Sequence, residues 1–196
     1  MKQEQLIKAI KSVSESPYPS AHHPDPVDSA VLILMHGEPG QLEVLLTKRS
    51  EQLSAHPGQI SFPGGRFDDG DETLENTALR ETEEEIGINR TDITLLGELT
   101  PVVTLTGFRI VPFIGYINIL PELTIQESEV DSAFSVPLTW LIDEQNVSQI
   151  SREILGQLMT TFILEWQEHI IWGATANMIA DLGYRIRHSN QLNQIK

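Results

Sequence analysis

Apolar positions along this chain fall into short runs separated by polar breaks. Leu6, Ile7, Ile10 and Val13 recur at helical spacing and predict a short amphipathic helix over residues 3–14. The proline-rich segment 17–26, which carries His22 and His23, interrupts that pattern and reads as a surface connector. The run 30–35 is continuously apolar, as a buried strand requires, and Gly37-Glu38-Pro39-Gly40 turns the chain into a second apolar run at 42–47. Further strands are expected at 58–63, 93–99 and 109–118, with helices at 73–87, around 137–145 and at 172–187. Strands and helices mixed in this order predict an α/β fold with helices on both faces of a sheet. No repeat or shift of composition divides the chain, so residues 1–27 are assigned as a helix and connector and 28–190 as a single domain.

Charge narrows the possible partners. The chain has 196 residues, and 13 Lys and Arg face 28 Asp and Glu, a formal net charge of -15. That balance opposes nucleic-acid and anionic-membrane binding, because either needs a basic footprint. An anionic substrate needs local help from a divalent metal or from a few placed cations. The absence of cysteine excludes disulfides and thiol catalysis. No apolar run approaches the roughly 18 residues that cross a bilayer, and the first residues lack an apolar leader, so a soluble cytoplasmic protein is expected.

The acids are not evenly spread: nine of them lie between residues 68 and 85. On a helix turning about 100° per residue, Glu81, Glu84 and Glu85 share one face while Leu79, Thr82 and Ile86 turn elsewhere. Like charges at these spacings destabilise a helix by a few tenths of a kcal/mol per pair. A solvated face relieves that repulsion; so does a bound cation. Hard oxygen donors without His or Cys suit Mg²⁺ or Mn²⁺. Gly64-Gly65 allows a backbone path that other residues cannot follow. Asp71 or Thr73 is placed to cap the following helix, and Gly87 to end it.

The spacing of Gly65, Glu72, Arg80-Glu81, Glu84-Glu85 and Gly87 resembles the signature of the Nudix hydrolase family. Its second half, 80–88, matches throughout. In the first half, six residues separate Gly65 from Glu72 where the pattern has five. The stretches Leu45-Leu46-Thr47-Lys48-Arg49-Ser50 and Gly58-Gln59-Ile60-Ser61-Phe62-Pro63-Gly64-Gly65 resemble the motif of the coenzyme A pyrophosphatase branch, which carries the same insertion. Segments 106–113 and 172–176 also resemble that branch, and the likeness covers roughly residues 28–185. The branch motif has an Arg where this chain has Ser54; Lys48 and Arg49 are the nearest replacements.

The resemblance implies an α/β/α sandwich with a mixed sheet and a loop-helix-loop catalytic motif. It also implies hydrolysis of the diphosphate of coenzyme A or acyl-coenzyme A to 3′,5′-ADP and (acyl-)4′-phosphopantetheine, using Mg²⁺ or Mn²⁺. Glu81 and Glu85 become the main metal ligands, and Glu84 a further ligand or water-orienting base. Arg80 orients a signature glutamate, and Glu72 is a supporting or helix-capping carboxylate. Glu83 is assigned to solvent and His56 to an exposed or packed loop. Glu127 and Glu129 lie where the fold sometimes places one more base or ligand. Lys48, Arg49, Gly64, Gly65, Phe108 and Arg109 are the expected substrate-binding residues, Phe108 by stacking and Arg109 by contacting phosphate. Trp166 and Trp172 are expected in the core. The expected partner is a small-molecule substrate, with monomer and homodimer both open. A related hydrolase of another nucleoside diphosphate derivative or of a nucleoside triphosphate is the alternative, followed by a non-catalytic nucleotide sensor.

Overall fold

The computed structural model of this chain describes residues 3–194 except 14, 19, 155 and 156. In chain order the elements are α1 (Gln3–Ile10), β1 (Val27–His36), β2 (Glu43–Arg49), β3 (Ile60–Ser61), β4 (Gly64–Arg66), α2 (Leu74–Ile86), β5 (Thr94–Glu98), β6 (Val102–Val103), β7 (Phe108–Ile117), β8 (Val130–Pro137), α3 (Leu138–Leu141), β9 (Ser148–Ile154), β10 (Gln157–Trp166), β11 (His169–Trp172) and α4 (Gly173–Gln194). Strand β1 is the spine of a mixed sheet. It runs parallel to β7 from Val27↔Phe108 to His36↔Ile117, and antiparallel to two strands on its other flank. β4 takes its first half, at Ser29–Val31, and β2 takes its last two residues, Met35 and His36. β3 and β8 pair with β2, and β5 and β6 pair with β7.

The apolar run in β1 is buried on both faces, as an interior strand requires. Side chains alternate across a strand, so the run divides between two cores. Ala30, Leu32 and Leu34 join Leu45, Val111 and Phe113 under α2, which contributes Ala78 and Ile86. Ile33 and Met35 join Val44, Leu46 and Ile114 under α4 and α1, which contribute Met178, Ile179, Leu182, Leu6 and Ile10. Helices thus cover both faces, giving the expected α/β/α sandwich around a mixed sheet.

Several element boundaries differ from expectation, each for a local reason. The first helix ends at Ile10 and not at 14. The chain beyond it is held by Arg185 of α4, which is 3% exposed and donates from Nη1 to the carbonyls of Ile10 (2.7 Å) and Val13 (2.6 Å). The bond to Ile10 satisfies a carbonyl that the helix end leaves open, and the same guanidinium donates to Asp181 Oδ2 at 2.9 Å and to Thr100 Oγ1 at 2.6 Å. The strand expected at 58–63 shrinks to β3, with the separate short strand β4 following it, because Pro63 has no N–H to donate and Gly64 adopts φ 153. The helix expected around 137–145 shrinks to α3 and a 3₁₀ turn at Glu144–Asn146, while the last helix extends to Gln194. A second, antiparallel sheet of β9, β10 and β11, together with β8, was not foreseen. Trp166 packs edge-on against Trp140 (ring centroids 4.7 Å apart), but Trp172, expected in the core, is 43% exposed on β11.

Leu6 is 1% exposed, so α1 is an integral part of the core under α4. Leu6→Ala is expected to lower unfolding free energy by about 3 kcal/mol, the usual cost of an unfilled Leu site. Urea denaturation measures this; a loss below about 1 kcal/mol would mean that the helix is only loosely attached.

Candidate metal centre

The site begins where β4 squeezes between β1 and α2. At Gly64 a Cβ would run into the Ala30 carbonyl and reach 2.6 Å from the Val31 Cα. At Gly65 it would collide with the carboxylate of Glu81. Only paired glycines let the backbone approach this closely. The reward is a short bridge from strand to helix: the Gly64 N–H donates to Glu85 Oε2 at 3.3 Å.

A tight loop then carries the chain to α2. Asp68 caps the 3₁₀ turn Asp69–Asp71 through a reciprocal pair: its side chain accepts from the Gly70 N–H, and its own N–H donates to Asp71 Oδ2 at 3.0 Å. Thr73 caps α2 by accepting from the Asn76 N–H at 3.2 Å, and Gly87 ends the helix in the left-handed region at φ 75. Thr77, Ala78 and Thr82 face the sheet. Glu81 and Glu85 thereby turn toward β4.

Arg80 organises this corner. Its Nε and Nη2 grip Asp71 at 2.6 and 3.0 Å, a two-pronged contact that its planar fork favours. Thr77 adds a hydroxyl donor to Asp71 Oδ2 at 2.8 Å. Arg80's hydrogen bonds hold the buried Asp71 carboxyl well below the usual carboxylate range, outweighing the opposing effect of burial. The remaining Arg80 donors reach Glu81 Oε1 (2.9 Å), Glu84 Oε2 (2.8 Å) and the Arg66 carbonyl (3.3 Å). The family resemblance implied a supporting or helix-capping role for Glu72. The structure gives it to Asp71, which five residues separate from Gly65, while Glu72 is exposed at φ 61. The extra residue therefore lies between the supporting carboxylate and the helix.

Ligand atoms of Glu81, Glu85 and Glu129 lie within 4.8 Å of one another. Glu129 arrives from the loop before β8, which is laced to the site by main-chain bonds. Gln126 N–H donates to the Glu85 carbonyl (2.9 Å), Glu129 N–H to the Gln126 carbonyl (2.9 Å), and Ser50 N–H to the Glu129 carbonyl (2.9 Å). Burial pushes Glu85 up to about 8, against the downward pull of Arg49, whose Nη1 is 4.0 Å away. Burial raises Glu81 as well, despite Arg80. Two partly or fully buried carboxylates and a third beside them, with so little compensating charge, form an all-oxygen donor set suited to Mg²⁺ or Mn²⁺.

The other expected residues take distinct places. Glu84 is 59% exposed in its side chain and bound to Arg80, outside the three-carboxylate cluster. Arg49 borders the cluster, and its buried Nε has no hydrogen-bond partner among the described residues. Lys48, the adjacent position of β2, pairs instead with Asp131 (3.2 Å) and Glu51 (3.6 Å). Arg109 pairs with Asp28 at 2.8 Å. Phe108 is half-buried, with the Arg66 guanidinium 5.1 Å from its ring centroid. Glu83 pairs with Arg90 at 2.8 Å, His56 is exposed at φ 57, and Glu127 is exposed outside the cluster. Sequence reasoning had named Asp71 as a helix-start or support residue without its contact to Arg80, and had not singled out Arg66; the five residues between Gly65 and Asp71 were the signal for that contact.

Residues 26–158 match the family described as NUDIX domain, well over half of the chain. The chain belongs to the Nudix family. Among curated relatives, "Nudix hydrolase 3" of Caenorhabditis elegans is 36% identical over 165 residues, covering 81% of this chain and 68% of that protein. An "Uncharacterized Nudix hydrolase NudL" of Klebsiella pneumoniae strain 342 is 34% identical over 170 residues, covering 87% and 88%. Among solved structures, a C. elegans Ap4A hydrolase binary complex superposes with a TM-score of 0.53 at 17% identity, over 87% of this chain and 99% of that one, which supports the shared fold. Nudix hydrolases cleave pyrophosphate linkages in nucleotide derivatives and generally use divalent metals such as Mg²⁺ or Mn²⁺, and the oxygen cluster fits such an ion. Among the described residues, no helix is long and apolar enough to cross a membrane.

Because a side chain at 65 would displace Glu81 more than it would disturb the core, Gly65→Ala is expected to lower metal-dependent turnover by about 100-fold, as small displacements at reacting centres do. The melting temperature should move by only a few degrees. Paired activity and melting measurements check this; near-normal turnover would show that Glu81 need not occupy its observed position.

Proposed function

We propose that this Nudix hydrolase cleaves the diphosphate of coenzyme A or an acyl-coenzyme A, giving 3′,5′-ADP and (acyl-)4′-phosphopantetheine. The observation that carries the chemistry is the carboxylate cluster of Glu81, Glu85 and Glu129 beside Arg49. The substrate assignment is supported by the upstream stretches 45–50 and 58–65, whose likeness to the coenzyme A branch extends across the wall of the site. Their main chains are joined there: Arg49 N–H donates to the Gln59 carbonyl at 2.9 Å and Gly58 N–H to the Arg49 carbonyl at 3.2 Å. Gly64 and Gly65 close the same wall against the helix.

Glu81 and Glu85 would hold the metal, with Glu129 completing the oxygen set, and Mg²⁺ or Mn²⁺ bound there would supply charge neutralisation for the phosphates and activation of water. Arg49, whose guanidinium is partly exposed beside the cluster, donates to a phosphate oxygen. Water oxygen bonds to one phosphorus as the bridging oxygen leaves with the other phosphate, and a cluster carboxylate accepts the water proton. Glu129, more exposed than Glu81 and Glu85, is best placed to pass that proton to solvent. Arg80 keeps Glu81 aligned while Asp71 holds Arg80. Glu84 stands at the rim, and its contribution runs through Arg80.

Purified protein with Mn²⁺ is expected to release 3′,5′-ADP from coenzyme A, and chelation to abolish the reaction reversibly. Glu85→Gln should cost about 10³-fold in kcat, in line with removal of one preorganised charge-stabilising group, and Glu129→Gln at least tenfold. Glu84→Gln should cost least of the three. Chromatographic product analysis decides: full activity of Glu85→Gln would overturn the role assignment, and cleavage of other diphosphates without coenzyme A would overturn the substrate.

One observation favours a second reading. Ser54 stands exposed in the loop 51–58, where the branch motif has Arg, so a cation expected to face substrate is missing. Another nucleoside diphosphate derivative would then be the substrate. A panel run with matched metal separates the readings.

A further inference from the structure

In a chain this acidic, arginines find carboxylates. Of the seven whose side chains are described, six lie within 4.0 Å of one: Arg49, Arg80, Arg90, Arg109, Arg185 and Arg187. Arg66 is the exception. It is exposed, and Asp68, Asp69 and Glu72 follow close behind it in the chain, yet its guanidinium lies 5.1 Å from the centroid of the Phe108 ring and pairs with none of them. Cation–π contact at an exposed site is worth only about 0.5–1 kcal/mol. That is enough to orient the fork without spending its charge.

Its position links it to the metal centre. Gly65 faces Glu81, and alternation along β4 turns Arg66 to the opposite face of the sheet, where Ser29 is its register partner. The Arg66 carbonyl still accepts from Arg80 Nη2, so the residue is fixed to the catalytic corner through its main chain. Among the described residues, β4 pairs with β1 alone. Its other side offers a path by which a ligand can wrap from the carboxylate face round the strand toward Arg66. The corner it would reach is apolar as well as cationic. Val27 (46% exposed) pairs in register with Phe108 on the same face as Arg66. An aromatic platform with an oriented arginine suits a nucleotide: apolar surface for the nucleoside and a planar fork for a phosphate.

We propose that Arg66, held in plane by Phe108, binds a phosphomonoester of the substrate nucleotide that lies outside the scissile diphosphate, and so sets the preference for nucleotides bearing that extra phosphate. This rests on the reading that the diphosphate lies at Glu81, Glu85 and Glu129, and it deepens that reading by naming the group recognised on the far side of β4. Arg109, which sequence reasoning named as a phosphate contact, is already committed to Asp28.

Calorimetric titration with adenosine 3′,5′-bisphosphate and with AMP tests the idea without turnover. The wild type should bind the bisphosphate more tightly. Arg66→Ala should weaken bisphosphate binding about tenfold and leave AMP unchanged, with Arg66→Lys recovering part of the loss and Phe108→Leu losing part. Arg90→Ala, a surface variant of similar charge change, should behave as wild type. With coenzyme A and dephospho-coenzyme A as substrates, Arg66→Ala should raise KM for the former alone and leave kcat intact. Equal weakening of both nucleotides, no weakening of either, or absence of wild-type preference overturns the proposal. Failure to cleave coenzyme A, with the nucleotide discrimination intact, would overturn the substrate assignment and leave the role of Arg66 standing.

Discussion

Crowding of negative charge against a glycine-lined strand is the constraint on which this molecule's functional architecture depends. Glu85 is 3% exposed, yet its nearest cationic group is 4.0 Å away. Burying a carboxylate that is neither fully paired nor fully solvated is costly, and the fold must supply that free energy from elsewhere. It does so through two hydrophobic cores, one on each side of β1. Main-chain bonds then fix the loop carrying Glu129 to α2 and to Ser50. A divalent ion bound there would relieve the same crowding, so the burial that makes these carboxylates costly also suits them to a cation.

The corner is rigid because its polar groups are shared. Asp71 accepts from Arg80, Thr77 and the Asp68 N–H, while Arg80 extends to Glu81, Glu84 and the Arg66 carbonyl. This is the outer support that metal sites require if their ligands are to keep one geometry. Support of this kind depends on partners several residues apart in the chain. A one-residue insertion can therefore be absorbed, with Glu72 taking the positive φ and Asp71 taking over the contact with Arg80.

Much of the site was legible before the structure. Helical spacing placed Glu81 and Glu85 on one face, Thr73 and Gly87 at the helix ends, and Gly64-Gly65 at the close approach, because each is a local signal with a period or a cap. Glu84 shared the face by the same arithmetic, but Arg80 drew it out of the cluster. Glu129 was legible only as one of two candidates, since nothing local distinguishes it from Glu127; the register of β8 against β2 and the bond from Ser50 do. Strands β9 to β11 escaped notice because their mixed polar and apolar residues acquire a pattern only when paired.

The amino-acid sequence by itself determined the alternation of strands and helices, the acidic balance, and the helix with its caps, because these follow from the periodicity and chemistry of neighbouring residues. Tertiary structure alone decided which carboxylate supports Arg80, which third acid joins Glu81 and Glu85, and which of the described arginines is left without a carboxylate. Those outcomes depend on groups brought together from distant parts of the chain, and on how far each is buried. Burial and long-range pairing set the electrostatics of a site, and neither is written in the spacing of residues along a helix.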